Sequence, residues 1–347
     1  GHRNYFKVSM EDYEYSYNLE GDVEHGGNLR VLTLNDDGTM SFTAIKNEVY
    51  NENLVEETNI YNLVSSLRKN NYVYEKELGD NISSFNFTKE AFYNRVWDDI
   101  TTKTRGLFIN TSDNRIVARS YNKFFKIGER KETQLAELKN ELSYPVNFYL
   151  KYNGFLGILS VEKGELFFAS KSTNVGNYVD YFKKIFFETF DDDQIGAIKN
   201  KIMAEKETFV FEVIDPINDP HIIEYEHSQI VLLDVIRNRI DFEKMVYSEL
   251  IDFASKNRIE TKKLVFSVED VEQFDKVYDT IMSEDYTLDG DHVEGFVLED
   301  SKGFMVKSKS KYYDRWKRLR KVMENCIMKN EFESDSKDEL ENDFVTY

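Results

Sequence analysis

A lysine loop between two predicted strands constrains this chain more than any other feature. Residues 151–154 have the sequence Lys-Tyr-Asn-Gly, and the runs at 146–150 and 155–161 on either side are rich in aromatic and branched aliphatic residues. Such runs, bounded by turn residues, are typical of β-strands. Gly154 allows the backbone to turn closely at this point. The chain is therefore expected to build a sheet that presents Lys151 at the end of a strand.

The remaining periodicity predicts an α+β fold in which antiparallel sheets are flanked by helices. Strands are predicted in a hairpin at 29–45, around a turn within 104–125, at 165–170 and 208–214, and in a hairpin at 293–309. Helices are predicted at 52–70, 176–206, 228–256 and 312–329. No stretch approaches 18 uninterrupted apolar residues, so no membrane span is expected.

The predicted organisation has three parts: an N-terminal extension at 1–75, one large domain at 76–321, and a helix end with an acidic tail at 322–347. The single cysteine cannot form an internal disulfide, and the N-terminus lacks the apolar run of a signal peptide, which together favour a cytoplasmic protein.

The charge of one segment, residues 302–321, is opposite in sign to the net charge of the whole chain. The value of −19 argues against a general nucleic-acid coat protein. Residues 302–321, however, contain nine Lys or Arg and one acid. This segment fits a nucleic-acid face and a mixed-charge surface helix about equally well.

Downstream of the loop lies an ordered set of charged residues in predicted strand contexts. It comprises Ser170-Lys171, Glu212, Glu294-Gly295, Lys307 and Lys309. A lysine amine has a pKa near 10.4 and cannot attack phosphorus while protonated. Clustered cations such as Lys171, Lys307 and Lys309 are expected to lower the pKa of Lys151, and they can also neutralise charge on a phosphate. The set therefore predicts an enzyme that bonds a lysine to a nucleotide.

Two strand glutamates, Glu212 and Glu294, suit the binding of a hydrated Mg²⁺ or Mn²⁺ through water molecules. Single elements of the set have little weight, because Lys76–Gly79 also matches Lys-x-x-Gly. The order and strand context of the whole set decide the interpretation.

The combined motifs resemble a known family. Residues 104–321 resemble the adenylyltransferase domain of ATP-dependent RNA ligases of the phage RNA ligase 1 and fungal tRNA ligase type, members of the covalent nucleotidyltransferase superfamily. The resemblance rests on Thr104–Phe108, Ala118–Ile127 with its Lys-Phe-Phe segment, the Lys151 loop, Ser170-Lys171, Phe209–Val213, Ile222–Tyr225, Glu294–Leu298 and Met305–Lys309. It implies a nucleotidyltransferase, ATP-grasp-like ligase fold.

This resemblance implies a role for each matching residue. Lys151 would form a covalent lysyl–AMP intermediate from ATP, and the AMP would activate a 5′-phosphate RNA end for sealing by a 3′-hydroxyl. Arg105 and Lys123 would bind the outgoing pyrophosphate. The other implied nucleotide-binding residues are Phe125, Gly154 and Lys171, and the other implied catalytic residues are Glu212, Glu294, Lys307 and Lys309. RNA, including cleaved tRNA, is the implied substrate, and kinase or phosphatase repair enzymes are implied partners.

Two departures keep alternatives open. Asn153 occupies a position where phage enzymes commonly carry Asp, which leaves the preferred RNA end undecided. Only 38 residues follow Lys309, too few for the C-terminal OB-fold barrel of DNA ligases and mRNA capping guanylyltransferases. A capping-type guanylyltransferase and a catalytically silent RNA-binding module remain the alternative functions.

Overall fold

The computed structural model describes residues 29–35, 37–45 and 52–329. The chain divides into two compact units, of which the smaller comprises Gly1–Ser65 and Thr111–Arg115 and the larger comprises Ser66–Asn110 and Ile116–Tyr347.

The strands, in chain order, are β1 (Leu29–Leu34), β2 (Met40–Ile45), β3 (Val73–Glu77), β4 (Ile82–Phe87), β5 (Leu107–Asn110), β6 (Arg115–Arg119), β7 (Phe125–Lys126), β8 (Val146–Lys151), β9 (Phe155–Glu162), β10 (Glu165–Ala169), β11 (Glu207–Ile214), β12 (Gln229–Arg237), β13 (Leu264–Val268), β14 (Gly295–Asp300) and β15 (Met305–Lys309). The helices are α1 (Glu52–Lys69), α2 (Lys89–Tyr93), α3 (Leu135–Glu141), α4 (Asn177–Thr189), α5 (Asp192–Glu205), α6 (Tyr247–Lys256), α7 (Val271–Ile281) and α8 (Lys311–Lys329).

In the smaller unit, β1 and β2 form the predicted antiparallel hairpin, with Leu34 opposite Met40. Most of helix α1 belongs to the same unit.

Sheets of the larger unit have the strand orders β3-β4-β5-β6, β13-β8-β14-β15-β7 and β10-β9-β11-β12. A core of Leu138, Phe148, Phe274 and Phe296 joins helices α3 and α7 to the five-stranded sheet. A separate core that contains Phe182, Phe186 and Phe211 joins helices α4 and α5 to the sheet of β9 to β12. Amphipathic helices thus cover two of these sheets, and the α+β prediction with mainly antiparallel pairing is confirmed.

The prediction of a helix at 228–256 was wrong for the first part of that range. Residues 229–237 form strand β12, and the helix α6 begins only at Tyr247. The run Gln-Ile-Val-Leu-Leu-Asp-Val-Ile-Arg is rich in β-branched residues, and Ile230, Val231 and Leu232 are all buried. A short apolar run that is buried on both faces has no alternation, so periodicity alone cannot distinguish it from a helix.

The lysine loop connects two different sheets, because β8 lies in the five-stranded sheet and β9 in the sheet of β9 to β12. Residues on facing strands of both sheets therefore converge around Lys151. After β15 the described chain continues as the predicted helix α8. Among the described residues, no helix combines the length and apolar character needed to cross a membrane.

Candidate active site

Two lysines, Lys151 and Lys309, meet at one carboxylate beside strand β14. Gly295 lies opposite Lys151 of β8 on one side and opposite Lys309 of β15 on the other. Glu294 precedes Gly295, and its Oε2 lies 2.9 Å from the Lys151 Nζ. Its Oε1 lies 2.9 Å from the Lys309 Nζ. The buried Glu294 carboxylate therefore bridges both lysines.

Gly295 is required for this approach. Its φ is 145°, and a Cβ at this position would lie 2.1 Å from the carbonyl oxygen of Ser308. Only glycine avoids both the strained backbone and the clash with the neighbouring strand. Glu294 and Gly295 thus act together: the glycine allows the strands to approach closely, and the glutamate contacts the lysines beside it.

Glu212 reaches the lysine loop from the other sheet. Its Oε1 accepts a hydrogen bond of 3.0 Å from the backbone N–H of Gly154. A Cβ on Gly154 would lie only 2.2 Å from the carbonyl oxygen of Val213, so the loop packs directly on strand β11. The Tyr225 hydroxyl accepts a further hydrogen bond of 3.0 Å from the N–H of Asn153. These contacts fix the loop that follows Lys151.

Cations cluster around Lys307: Arg105, Lys123 and Lys151 lie near it, and Lys171 lies near Arg105. Burial, followed by repulsion from Lys123, Arg105 and Lys151, lowers the pKa of Lys307 from 10.5 to about 7. Burial and Arg105 lower the pKa of Lys171. Burial also lowers the pKa of Lys123, and Glu129 opposes this effect. Because these cations repel one another in a buried place, the cluster suits a polyanion such as a triphosphate.

The expected lowering of the Lys151 pKa was wrong for the ligand-free protein. Burial lowers this pKa, but Glu294 and Glu212 together outweigh the burial and raise it above its usual value. Sequence spacing revealed the nearby cations, whereas the 2.9 Å contact with Glu294 appears only in three dimensions. Lys307, rather than Lys151, has the strongly lowered pKa.

A cavity extends from Lys151 between the two sheets. Its wall near the lysine includes Arg105, Glu212 and Lys307. Its more distant wall combines aromatic, apolar and charged side chains: Tyr121, Phe124, Tyr149, Leu233, Asp234, Lys262, Val297, Glu299 and Met305. One end is therefore suited to phosphates and the other to a flat, partly polar group.

Phe125 does not line the cavity that holds Lys151. The structure places Phe124 on the walls of both the cavity that holds Lys151 and a second cavity, whereas Phe125 lines the second cavity together with Lys123. The Phe125 ring centroid lies 4.1 Å from the Lys123 Nζ. Neighbouring residues of an extended segment point to opposite sides, so a one-residue difference decides which ring faces the cavity. Sequence spacing could not make this choice between two adjacent phenylalanines.

A divalent metal fits this site only with water or phosphate completing its shell. Both oxygens of Glu294 contact lysines, and one oxygen of Glu212 is used by the loop. Within the described residues there is no group of three or more potential metal-ligating side chains of the His, Cys, Asp or Glu type. Such a sparse set suits Mg²⁺ or Mn²⁺, which keeps several waters and binds substrate phosphates.

Sequence reasoning missed a buried ionic cluster at the distant end of the cavity. Asp234 contacts the Nζ of Lys262 at 2.7 Å and that of Lys244 at 3.2 Å, and it accepts a 2.6 Å hydrogen bond from the Tyr121 hydroxyl. Glu299 contacts Lys244 at 2.9 Å. One sequence signal was present, because Asp234 is a lone acid within a buried apolar run. Lys262 has no comparable local signal.

Comparisons with known proteins identify the family of the chain. The sequence model of the RNA ligase family matches residues 103–313, well over half of the chain. A curated protein of Thermovibrio ammonificans with a provisional RNA ligase name is 26% identical over 220 residues, which cover 61% of this chain and 52% of the relative. The chain thus spans about half the length of that relative.

Solved structures share the fold at low sequence identity. An archaeal ATP-dependent RNA ligase superposes with a TM-score of 0.51 and 12% identity, over 75% of this chain and 63% of its own. A structure from Aquifex aeolicus with a provisional ATP-dependent DNA ligase name has a TM-score of 0.50 and 14% identity, over 75% of this chain and 65% of its own. The family match spans the segment that contains every predicted site residue, and the chain belongs to the RNA ligase family.

Proposed function

We propose that this protein is an ATP-dependent RNA ligase that joins 5′-phosphate and 3′-hydroxyl RNA ends through a lysyl–AMP intermediate on Lys151. The observation that supports this most is the placement of Lys151 at one cavity with a bridging carboxylate, Glu294, and a buried cation cluster. A nucleophile, a carboxylate that positions it and charges for a polyphosphate are the parts that nucleotidyl transfer requires.

In the first step the Lys151 ammonium loses one proton to solvent, and the resulting amine attacks the α-phosphorus of ATP and loses a second proton to solvent as it becomes the phosphoramidate nitrogen. A P–N bond forms, the bond from the α-phosphorus to the bridging oxygen breaks, and pyrophosphate leaves. Glu294 orients the amine through its 2.9 Å contact. Arg105, Lys123 and Lys307 neutralise the charge that develops on the phosphates and the leaving group.

Two further transfers complete the reaction. An oxygen of the RNA 5′-phosphate attacks the α-phosphorus, the P–N bond breaks, and the Lys151 nitrogen takes up two protons from solvent to return to the ammonium form. The 3′-hydroxyl of the other RNA end then attacks the activated 5′-phosphorus, loses its proton and releases AMP.

A hydrated Mg²⁺ or Mn²⁺ near Glu212 and Glu294 would supply additional positive charge at the phosphates. Broken tRNA or similar nicked loops are the proposed RNA, and kinase or phosphatase repair enzymes are the proposed partners.

The function is tested by sealing of a 5′-phosphorylated RNA oligonucleotide and of the same RNA already carrying a 5′-adenylate. The wild type is expected to seal the first RNA with ATP and Mg²⁺ and the second without ATP. Lys151→Ala is expected to fail on the first and to retain sealing of the second, which would also show that the variant folds. Sealing of the 5′-phosphate RNA by Lys151→Ala would contradict the nucleophile. Failure of the wild type on both RNAs, with RNA binding retained, would favour a silent binding module.

A further inference from the structure

We propose that Glu299 is a specificity-determining residue that selects adenine by accepting a hydrogen bond from the exocyclic amine of the base. This inference rests on the proposed function, because it concerns the nucleotide that reacts with Lys151. Its starting point is a carboxylate at the far end of the cavity with one oxygen lacking a hydrogen-bond partner.

The two oxygens of the Glu299 carboxylate differ in their contacts. Its Oε1 contacts the Nζ of Lys244 at 2.9 Å. Its Oε2 is buried and has no hydrogen-bond partner, and the Lys262 Nζ lies 3.9 Å from it. A buried oxygen without a partner costs free energy, and a ligand N–H can remove that cost. Because the terminal torsion of a glutamate side chain is soft, a small rotation can turn this oxygen toward the cavity that Glu299 lines.

Strand β14 sets the distance between Glu299 and the phosphate end. Gly295 lies beside Lys151, and Val297 lies between Tyr149 and Lys307. Glu299 follows two residues later on the same face, about 13 Å along the strand from Gly295 at the usual rise of about 3.3 Å per residue. This separation is on the order of the length of a nucleoside monophosphate. A nucleotide whose α-phosphate is at Lys151 therefore presents its base near Glu299.

The walls between these points suit a flat base. Phe124, Tyr149, Val297 and Met305 line the cavity there, and they offer aromatic and apolar surfaces. The polar groups are concentrated at the end, where Lys262 and Asp234 already contact each other at 2.7 Å. Among the described residues that line this end, Glu299 thus has a buried oxygen without a hydrogen-bond partner.

Acceptor chemistry gives the direction of selectivity. Adenine has an amine, a hydrogen-bond donor, at its 6-position. Guanine and hypoxanthine have a carbonyl oxygen there, which would face the carboxylate as a second acceptor. Unsubstituted purine has neither group. Loss of a hydrogen bond to a charged partner in a buried site is costly, so both changes are expected to slow the reaction.

The test measures the rate of covalent labelling of the protein, at subsaturating nucleotide, with ATP, purine riboside triphosphate and inosine triphosphate. For the wild type we expect ATP to react at least tenfold faster than either analogue. In Glu299→Gln, whose amide can donate as well as accept, the advantage of ATP over inosine triphosphate is expected to fall at least fivefold. Equal rates for the three nucleotides on the wild type would overturn the inference without any need for a variant.

Glu243→Gln provides the matched control, because it makes the same change at a glutamate that pairs with Arg237 and Arg239 and does not line the cavity. A base-reading role predicts that the ratio of ATP to inosine triphosphate rates stays within twofold in this variant. An equal loss of the ratio in both variants, or an unchanged ratio in Glu299→Gln, would overturn the inference and leave the proposed function standing. Absence of labelling of the wild type by every nucleotide would overturn both.

Discussion

The Oε2 of Glu294 lies 2.9 Å from the Nζ of Lys151, and this contact keeps the nucleophile protonated in the ligand-free protein. Burial alone would lower the pKa of Lys151, but Glu294 and Glu212 raise it. Lys151 is therefore held in place as an ammonium ion, which is unreactive. A proton must leave before the amine attacks.

Removal of that carboxylate charge should move the pH dependence of the first step. In Glu294→Gln the ammonium form of Lys151 loses its main electrostatic partner, so its pKa falls. We expect the maximal labelling rate to drop at least tenfold, because Lys309 and Lys151 lose their shared anchor. We also expect the rising limb of the rate against pH to shift to lower pH. Single-turnover labelling between pH 5.5 and pH 9.5 measures both, and a limb that stays in place or moves to higher pH would contradict this account.

Lys123 should matter for ATP more than for sealing. It is nearly buried within the cation cluster and lies close to the Phe125 ring. Lys123→Ala is expected to slow labelling by ATP roughly 10- to 100-fold and to slow sealing of pre-adenylated RNA much less, because pyrophosphate is absent from the latter reaction. Lys126→Ala is the control, since Lys126 is half-exposed and pairs with Asp314. Equal losses in the two reactions would refute a role at the leaving group.

Gly154 should tolerate no side chain. A Cβ there would lie 2.2 Å from the carbonyl oxygen of Val213, and backbone atoms cannot move aside cheaply. Gly154→Ala is expected to lower the free energy of unfolding by about 1–3 kcal/mol and to abolish labelling of Lys151, because the loop is displaced. Gly196→Ala is the matched control, since it lies in helix α5 and a Cβ there meets nothing within 4 Å. That variant should be stabilised by about 0.5–1 kcal/mol, and a similar loss of labelling in it would contradict the prediction.

Lys307 is expected to destabilise the folded protein although the reaction requires it. Its pKa is about 7 in the folded protein and near its ordinary value in the unfolded chain, so the unfolded state binds more protons between these values. The resulting destabilisation is complete below pH 7 and is relieved as the pH rises toward 10. Lys307→Met is therefore expected to have a larger free energy of unfolding than the wild type, by on the order of 2 kcal/mol near pH 6 and by less near pH 9, and to lose labelling. Thermal unfolding at both pH values checks this, and a variant that is less stable at pH 6 would contradict it.

The same lysine predicts proton uptake on nucleotide binding. A bound triphosphate favours the charged form of Lys307, so its pKa rises on binding and affinity falls as the pH passes above 7. Calorimetry with a non-reactive ATP analogue in two buffers of different ionisation heat should detect uptake near pH 7.5. The uptake should shrink in Lys307→Met, and unchanged uptake in that variant would assign the proton to another group.

Local patterns made much of the fold predictable. The hairpin at β14 and β15 and the strands around Lys151 are short-range features with clear turn residues, so their sequence identifies them. Strand β12 was misassigned because an apolar run buried on both faces has no period. The choice between Phe124 and Phe125 depends on a register of one residue.

The site was predictable as a set of residues but not as an electrostatic system. Order and spacing brought Lys151, Glu294 and Lys309 into one prediction, and strand pairing places them together. The direction of the Lys151 pKa depends on burial and on distances across two sheets, which no local pattern encodes. The contact between Lys262 and Asp234 joins residues 28 positions apart and had no motif to identify it.

The most direct test of the central claim is the intact mass of the protein after incubation with Mg²⁺ and ATP, followed by mapping of the modified peptide. Protein first treated with pyrophosphate, to remove any AMP already attached, should gain the mass of one AMP, and the modification should map to Lys151. The gain should be absent from Lys151→Ala. An adduct formed only with GTP, an adduct on another residue, or an adduct that persists in Lys151→Ala would contradict the account.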